Sequence, residues 1–153
     1  GDAEVASQDR GIAMKRAYVV SLALTGCIVP AVHGQAVDSL YWSDGDSGRI
    51  NGVDFRLADV DAPETGGVGA RGGAKCEPER ALGYIAKQSM IEATRGKKVV
   101  ITNVEEKDDF GRVVMSLSID GRDAGELGVA SGYLKPYVFD GKRATMPKPD
   151  WCK

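Results

Sequence analysis

The stretch SGRINGVDFRLADV, residues 47–60, decides the fold, because it contains two extended runs separated by a tight turn. Asn51-Gly52 lies between the runs, and this dipeptide readily accepts the positive φ angles of a type I′ hairpin turn. The stretch therefore predicts a β-hairpin. Asp46 precedes its first strand and Asp61 follows its second, so we expect both carboxylates at the same open end.

These two carboxylates form a candidate cation site. Pro63 disfavours the helical region for Ala62, which allows the Ala62 backbone carbonyl to turn toward the same point. Oxygen ligands without sulfur or imidazole favour Ca²⁺ or Mg²⁺ over zinc or copper. Because the protein ligands are few, we expect the ion to retain water molecules.

Two arginines complete the candidate site. Arg56 lies on the second strand of the hairpin, and Arg112 follows Gly111 at the start of a later strand. The planar guanidinium of each can bind a phosphate through two hydrogen bonds. Together with a hard cation and the nearby Glu64 carboxylate, these groups are suited to stabilise the extra negative charge that develops at phosphorus during phosphodiester hydrolysis.

The rest of the chain contains a long helix, two further strands and a short helix. Pro78 suits a first helical turn, and Gly96 ends the helix that follows it. The predicted core-facing stripe of this helix consists of Leu82, Ile85, Ala86, Met90 and Ala93. KKVVITNVEE and RVVMSLSI are strands around the turn KDDFG, and DAGELGVASGY is a short helix. This order predicts the α+β class: a small five-stranded β-barrel of the OB type with two or three helices.

Residues 1–36 differ in composition from the rest. From Met14 this segment has a basic start, an apolar middle and small residues at its end, the pattern of a secretory signal peptide. We therefore expect a secreted or periplasmic protein whose folded domain spans residues 37–153. There are two alternatives. The segment is a helix of the folded domain, or LTGC is a lipoprotein box whose acylated Cys27 makes the membrane a partner.

The three cysteines support export. Cys27 lies in the predicted leader, which leaves Cys76 and Cys152 as a pair in the folded domain. An even number of cysteines in an exported protein predicts a disulfide, here one that attaches the C-terminal segment to the start of the long helix. Two unrelated free thiols are the alternative.

The position of the single histidine excludes several mechanisms. His33 lies in the predicted leader, so the predicted domain contains none. Ser-His-Asp catalysis, Cys-His catalysis and histidine zinc sites are therefore excluded, and acid–base chemistry falls to a carboxylate, lysine or tyrosine. The formal net charge is −2, so a site for a polyanion such as nucleic acid has to be a local positive patch.

The run DGDSGRINGVDFRLADVDAPET, followed by DDFGR and LGVASGYLKPY, resembles the staphylococcal nuclease, or thermonuclease, family over roughly residues 41–137. The resemblance implies an OB barrel that binds Ca²⁺ and hydrolyses DNA and RNA, leaving 3′-phosphates and 5′-hydroxyls. The segments KCEPERALG and DWCK look like those of a bacterial exported branch, which implies that Cys76 and Cys152 pair. We also expect a monomer.

The same resemblance implies a role for each site residue. Asp46 and Asp61 would bind Ca²⁺ together with the Ala62 carbonyl. Glu64 would orient or deprotonate the attacking water. The two arginines would hold the scissile phosphate and stabilise its transition state.

The chain departs from the family beside Gly111. The family usually has a basic residue and a tyrosine where this chain has Asp109 and Phe110, so we expect weaker binding of a terminal phosphate. Phe110 is then a substrate contact without a hydroxyl, and Tyr137 is a candidate for stacking on a base. The departures leave an alternative function open: a weak or inactive OB module that binds nucleic acid or a protein partner in the cell envelope.

Overall fold

A computed structural model describes residues 34–153. Most of the predicted signal peptide and of the alternative N-terminal helix, with Cys27 and His33, lies outside these residues. Within them, no helix is long and apolar enough to cross a membrane. The elements in chain order are β1 (Gln35–Ala36), β2 (Leu40–Trp42), β3 (Ser47–Ile50), β4 (Val53–Leu57), β5 (Val60–Asp61), α1 (Glu77–Thr94), β6 (Val99–Lys107), β7 (Val113–Ile119), β8 (Arg122–Asp123), α2 (Ala124–Ala130) and β9 (Lys135–Pro136).

The predicted hairpin consists of β3 and β4, which pair antiparallel. Asn51 and Gly52 have φ angles of 47° and 80°, as a type I′ turn requires. The second strand ends at Leu57, earlier than the predicted end of the hairpin. The reason is a turn at residues 58–59, where Asp59 has a φ of 58°, after which the chain continues as β5.

The main sheet is mixed and has the order β1-β6-β7-β4-β3-β2, with β8 added beside β7. The pairing of β4 with β7 is parallel, and the other pairings are antiparallel. The sheet curls into a half-barrel whose five longer strands are β2, β3, β4, β6 and β7. The predicted α+β class and OB-type barrel are confirmed, with two helices in the described part of the chain.

The core lies inside the curled sheet. Alternate residues of β4 and β7 point into it, as the period of a half-buried strand requires: Phe55 and Leu57 on one, Met115 and Leu117 on the other. Trp42 packs edge-on against Phe55, with ring centroids 5.3 Å apart. Strand β1 also belongs to the sheet, because it pairs with β6. The sheet thus begins two residues before residue 37, the predicted start of the domain.

Helix α1 buries only part of the predicted core-facing stripe: Ala86 and Met90 are buried, and Ala93 packs against the core. Leu82 and Ile85 are 41% and 48% exposed. The buried residues are Glu79, Gly83, Ala86 and Met90. The reason is a close contact with the segment after β5: a Cβ on Gly83 would lie 2.5 Å from the carbonyl oxygen of Glu64. A side chain at position 83 would have no room, so the face that contains Gly83 and Ala86 lies inward and Leu82 and Ile85 face outward.

Candidate active site

Two buried carboxylates meet at the end of the hairpin. Asp46 directly precedes β3 and is 6% exposed, and Asp61 ends β5 and is 1% exposed. The Ala62 N–H donates a hydrogen bond of 3.0 Å to Asp46 Oδ2, which links the two segments. Asp46 and Asp61, which we expected at the same open end of the hairpin, therefore lie close together in the structure.

Arg56 lies between these carboxylates. Its Nη2 is 3.6 Å from Asp46 Oδ2 and 3.6 Å from Asp61 Oδ1. The same nitrogen donates to the Val60 carbonyl at 3.0 Å, so the guanidinium is held by β5, the strand that follows its own. One positive charge is thus shared between two buried negative charges.

Sharing that charge leaves Asp46 incompletely compensated. Burial raises the pKa of Asp46 to about 6, against the opposing effect of Arg56 and with a further increase from Asp61. A carboxylate that was fully paired with one arginine would have its pKa lowered instead. The site consequently carries more negative charge than its arginine balances.

Glu64 lies beside the pair, after Pro63. Burial raises its pKa to about 7, and the negative charges of Asp46 and Asp44 add to the rise. Lys148 opposes it, with Nζ 3.9 Å from Glu64 Oε1 and 3.4 Å from Asp61 Oδ1. A carboxyl group that titrates near neutral pH is suited to accept a proton from water.

The residues present fit a hard divalent cation. The donors are carboxylate oxygens, without sulfur or imidazole, and burial together with neighbouring carboxylates raises the pKa values of Asp46 and Glu64, so a cation would stabilise their charged forms. Asp46, Asp61 and the Ala62 backbone are adjacent, as a shared ion requires. The ligand role of the Ala62 carbonyl stays a prediction.

A second group of metal-ligand types, Cys76, Glu79 and Cys152, is not a metal site. Its ligand atoms lie within 4.8 Å of one another. However, the two sulfurs form the predicted disulfide and are not thiolates. The group instead joins the C-terminus to the start of α1.

Asp44 was not predicted as a site residue, yet it organises the site. Its Oδ1 accepts the Thr65 backbone N–H at 3.0 Å and also the Thr65 hydroxyl, and its Oδ2 accepts the Ser47 hydroxyl at 3.1 Å. These bonds attach the segment that carries Glu64 to the loop before β3. The sequence did contain an indication of this role: in SDGDSG, residues 43–48, Asp44 lies two positions before Asp46.

Two residues from the C-terminal segment also reach the site. Trp151 Nε1 donates a buried hydrogen bond of 2.9 Å to Asp61 Oδ2, and Lys148 makes the ion pairs described above. Trp151 and Asp61 are 90 positions apart in the sequence. No local pattern indicates such a contact.

Arg112 is placed differently from Arg56. It precedes β7, the strand that pairs with β4, and its Nη2 and Nε lie 2.7 and 2.8 Å from Asp108 Oδ2. Its guanidinium carbon is 5.2 Å from the centre of the Phe110 ring, which is 63% exposed. Among the ion pairs of the described residues, none joins Arg112 to the hairpin carboxylates.

Tyr137 lies beside Arg56. The Arg56 guanidinium carbon is 6.0 Å from the centre of its ring, and the Phe139 ring packs edge-on against it at 5.0 Å. Asp59, to which the sequence assigned no role, holds this segment: its carbonyl accepts the Tyr137 N–H at 2.9 Å and its Oδ1 accepts the Phe139 N–H at 3.3 Å. Tyr137 therefore borders the site at Arg56, and its role as a substrate contact stays a prediction.

Comparison with known proteins identifies a family for most of the described chain. The family model described as staphylococcal nuclease homologue matches residues 54–148, a segment that contains Arg56, Asp61, Glu64 and Arg112. The chain has no significant match among curated proteins. The family match covers more than half of the 153 residues, and the fold is of the OB type that the resemblance implied. The chain belongs to the staphylococcal nuclease homologue family.

Proposed function

We propose that this protein is a calcium-dependent phosphodiesterase that hydrolyses DNA, RNA or both to 3′-phosphate products. The observation that carries the proposal is the buried pair Asp46 and Asp61, which share Arg56 and lie next to Glu64. Family membership supports the nuclease class. The carboxylate oxygens support a hard cation as the cofactor.

Asp46 and Asp61, with the Ala62 carbonyl, would hold the Ca²⁺ ion. When bound, the ion supplies positive charge beside the scissile phosphate. Arg56 adds a guanidinium at the same point, where it stabilises the negative charge that develops on the phosphate oxygens. Its hydrogen bond to the Val60 carbonyl keeps the guanidinium in place before substrate binds.

Glu64 accepts the proton of the attacking water. As the water oxygen forms its bond to phosphorus, the bond from phosphorus to the 5′ oxygen breaks, and that oxygen takes up a proton from solvent, to which Glu64 later returns the proton that it accepted. The products are a 3′-phosphate and a 5′-hydroxyl. The raised pKa of Glu64 makes it a stronger base than an ordinary glutamate near neutral pH.

Arg112, Phe110 and Tyr137 extend the site toward the substrate. In this proposal Arg112 binds the scissile phosphate and Asp108 orients the guanidinium before binding. Phe110 and Tyr137 offer rings on which bases can stack, a contact that tolerates different base sequences. Such contacts would explain activity on both DNA and RNA.

The proposal also includes export to the periplasm or the medium. A disulfide between Cys76 and Cys152 supports it, since disulfides persist in oxidising compartments. The signal peptide from Met14, the alternative lipid anchor at Cys27 and the monomeric state remain predictions. Mass spectrometry of the native protein would locate the mature N-terminus and any acyl group.

The test of the proposed activity is hydrolysis of single-stranded DNA and RNA with calcium and with excess chelator. We expect cleavage only with calcium, 3′-phosphate ends on the products, and loss of activity by orders of magnitude in Glu64→Gln. Glu92→Gln, an exposed change on α1, is the matched control. Cleavage that persists in Glu64→Gln would remove the proposed role of Glu64.

A binding module is the second candidate function, favoured by one observation. Arg112 is already paired with Asp108, and Asp109 replaces a positive residue beside it, so the positive charge offered to a phosphate there is reduced. Tight binding of single-stranded DNA in chelator, with no product after calcium is restored, would support this function over hydrolysis.

A further inference from the structure

The C-terminal tail, residues 147–153, contacts the proposed cation site directly. Trp151 Nε1 donates to Asp61 Oδ2 at 2.9 Å, and both residues are buried, at 8% and 1% exposed. Lys148 Nζ lies 3.4 Å from the other oxygen of the same carboxylate. Both oxygens of Asp61 therefore have partners from the tail.

Trp151 is itself held on two sides. The Lys135 ammonium lies 4.1 Å from the centre of its ring and 3.3 Å from the Asp150 carbonyl. Lys135 belongs to β9, where it pairs with Asp61 on β5. The strand beside Asp61 thus also carries the residue that contacts the Trp151 ring.

A covalent bond completes the attachment. Cys152 follows Trp151 and forms the disulfide with Cys76, whose Sγ also accepts the Glu79 N–H at the first turn of α1. The disulfide closes a loop of 76 residues between the helix start and the tail. Without it, ordering the tail would cost more conformational entropy.

The buried indole N–H of Trp151 has a role that packing alone does not explain, because it donates a hydrogen bond to Asp61. A phenylalanine would fill the same space, but it could not donate to Asp61 Oδ2. A hydrogen bond to a buried carboxylate restricts the side chain to one orientation, and such partners of metal ligands contribute to metal affinity.

We propose that the tail positions Asp61 for cation binding, with Trp151 as the positioning residue and the Cys76–Cys152 disulfide as the constraint that keeps it there. This inference rests on the proposed function, because it assumes that Asp61 is a cation ligand. It adds that Ca²⁺ affinity depends on residues of the C-terminal tail, which are far from Asp61 in the sequence.

The test compares Trp151→Phe with the wild-type protein by calorimetric titration with Ca²⁺, without nucleic acid. We expect about tenfold weaker binding, in the range typical for loss of a ligand's hydrogen-bond partner. Trp42→Phe is the matched control, because it removes an indole hydrogen bond of 3.2 Å to Thr94 outside the site. The control should retain wild-type affinity, and circular dichroism should show both variants folded.

The disulfide is tested by the double variant Cys76→Ser, Cys152→Ser, in which the serine at position 76 can still cap α1. We expect a similar loss of Ca²⁺ affinity. Dithiothreitol should have the same effect on the wild type, since it breaks the Sγ–Sγ bond, yields two cysteine thiols and is oxidised to its cyclic disulfide. The double variant should not respond to dithiothreitol.

The outcomes separate the two proposals. Wild-type affinity in folded Trp151→Phe would overturn the positioning role and leave the proposed function intact. Wild-type affinity in the double variant would overturn the role of the disulfide. A wild-type protein that binds no Ca²⁺ would overturn the proposed cofactor and the positioning role together.

Discussion

The two arginines predicted to bind phosphate lie in opposite electrostatic surroundings. Arg56 is 13% exposed and lies 3.6 Å from two buried carboxylates. Arg112 is 28% exposed and makes contacts below 3 Å with a single carboxylate, Asp108. Arg56 compensates the charge of two buried carboxylates, whereas Arg112 forms an ion pair with one partly exposed carboxylate.

The pKa values show the same difference. The pKa of Asp46 is raised to about 6, since burial outweighs its share of Arg56. Partial burial acts on Asp108 in the same direction, but hydrogen bonds from the side chain and backbone of Arg112 hold its pKa below the usual value. A divalent cation would therefore stabilise the first region more than the second.

The largest expected effect is that of Arg56→Ala. Nucleic-acid hydrolysis should fall by about 10³-fold or more, as for other arginines that stabilise phosphoryl transition states. Stability should also fall by about 3 kcal/mol, because two buried carboxylates lose their shared partner. Kinetics and urea unfolding measure the two effects. Arg56→Lys separates them, because it keeps the charge but loses the planar fork.

Arg49→Ala is the control for that variant, since Arg49 lies on the same hairpin and pairs with exposed Asp54. It should leave activity and stability near the wild-type values. Equal losses in Arg49→Ala and Arg56→Ala would show that the hairpin, and not the site, had been damaged.

Arg112→Ala should reduce hydrolysis by about 10²-fold, the cost of removing one donor to a developing charge. In contrast to Arg56→Ala, it should change stability by less than about 1 kcal/mol, because its ion pair is partly exposed. The measurements are the same. A loss of stability as large as that of Arg56→Ala would erase the contrast between the two regions.

In chelator, stability should depend on pH in opposite ways for the two aspartates. The folded-state pKa of Asp46 is raised, so its contribution is present below pH 4 and is lost as pH rises through about 6, a decrease of about 2 to 3 kcal/mol. The pKa of Asp108 is lowered, so its contribution is present above about pH 4 and is lost at lower pH.

Urea unfolding as a function of pH measures both effects. Asp46→Asn should reduce the decrease between about pH 4 and pH 7, and Asp108→Asn should reduce the decrease at acid pH. Glu64, with its pKa raised to about 7, adds to the first effect in the same direction. A wild-type profile that rises across the neutral range would contradict the raised pKa values of the buried Asp46 and Glu64.

The smallest expected effect is that of Asp108→Asn on substrate affinity. Because Asp108 orients Arg112 in the proposed function, its neutralisation should raise the KM for single-stranded DNA a few-fold. A lower KM would instead show that Asp108 competes with phosphate for Arg112. Asp54→Asn, at the exposed ion pair of the hairpin, is the matched control and should leave KM unchanged.

The parts of the site that were predictable are those specified by neighbouring residues. Asn51-Gly52 sets a type I′ turn by its backbone preferences, and the turn sets the pairing that brings Asp46 toward Asp61. The disulfide was predictable from the number of cysteines in the folded domain. Each of these inferences needs only local geometry or a count.

Other features depend on packing between distant segments. The hydrophobic pattern of α1 suggested that Leu82 and Ile85 face the core, but the close approach of Glu64 to Gly83 leaves these two side chains exposed. A hydrophobic pattern predicts that one face of a helix is buried, but the shape of the segment that packs against the helix decides which face it is.

The sequence by itself determined the barrel, the hairpin and the set of charged residues at its open end, because turn chemistry and strand patterning act over a few positions. Only the tertiary structure decided that Arg56 is shared by two carboxylates, that Arg112 pairs with Asp108, and that Trp151 reaches Asp61. The physical reason is that hydrogen bonds and charge compensation in the interior depend on which segments the folded chain brings together, at any separation along the sequence.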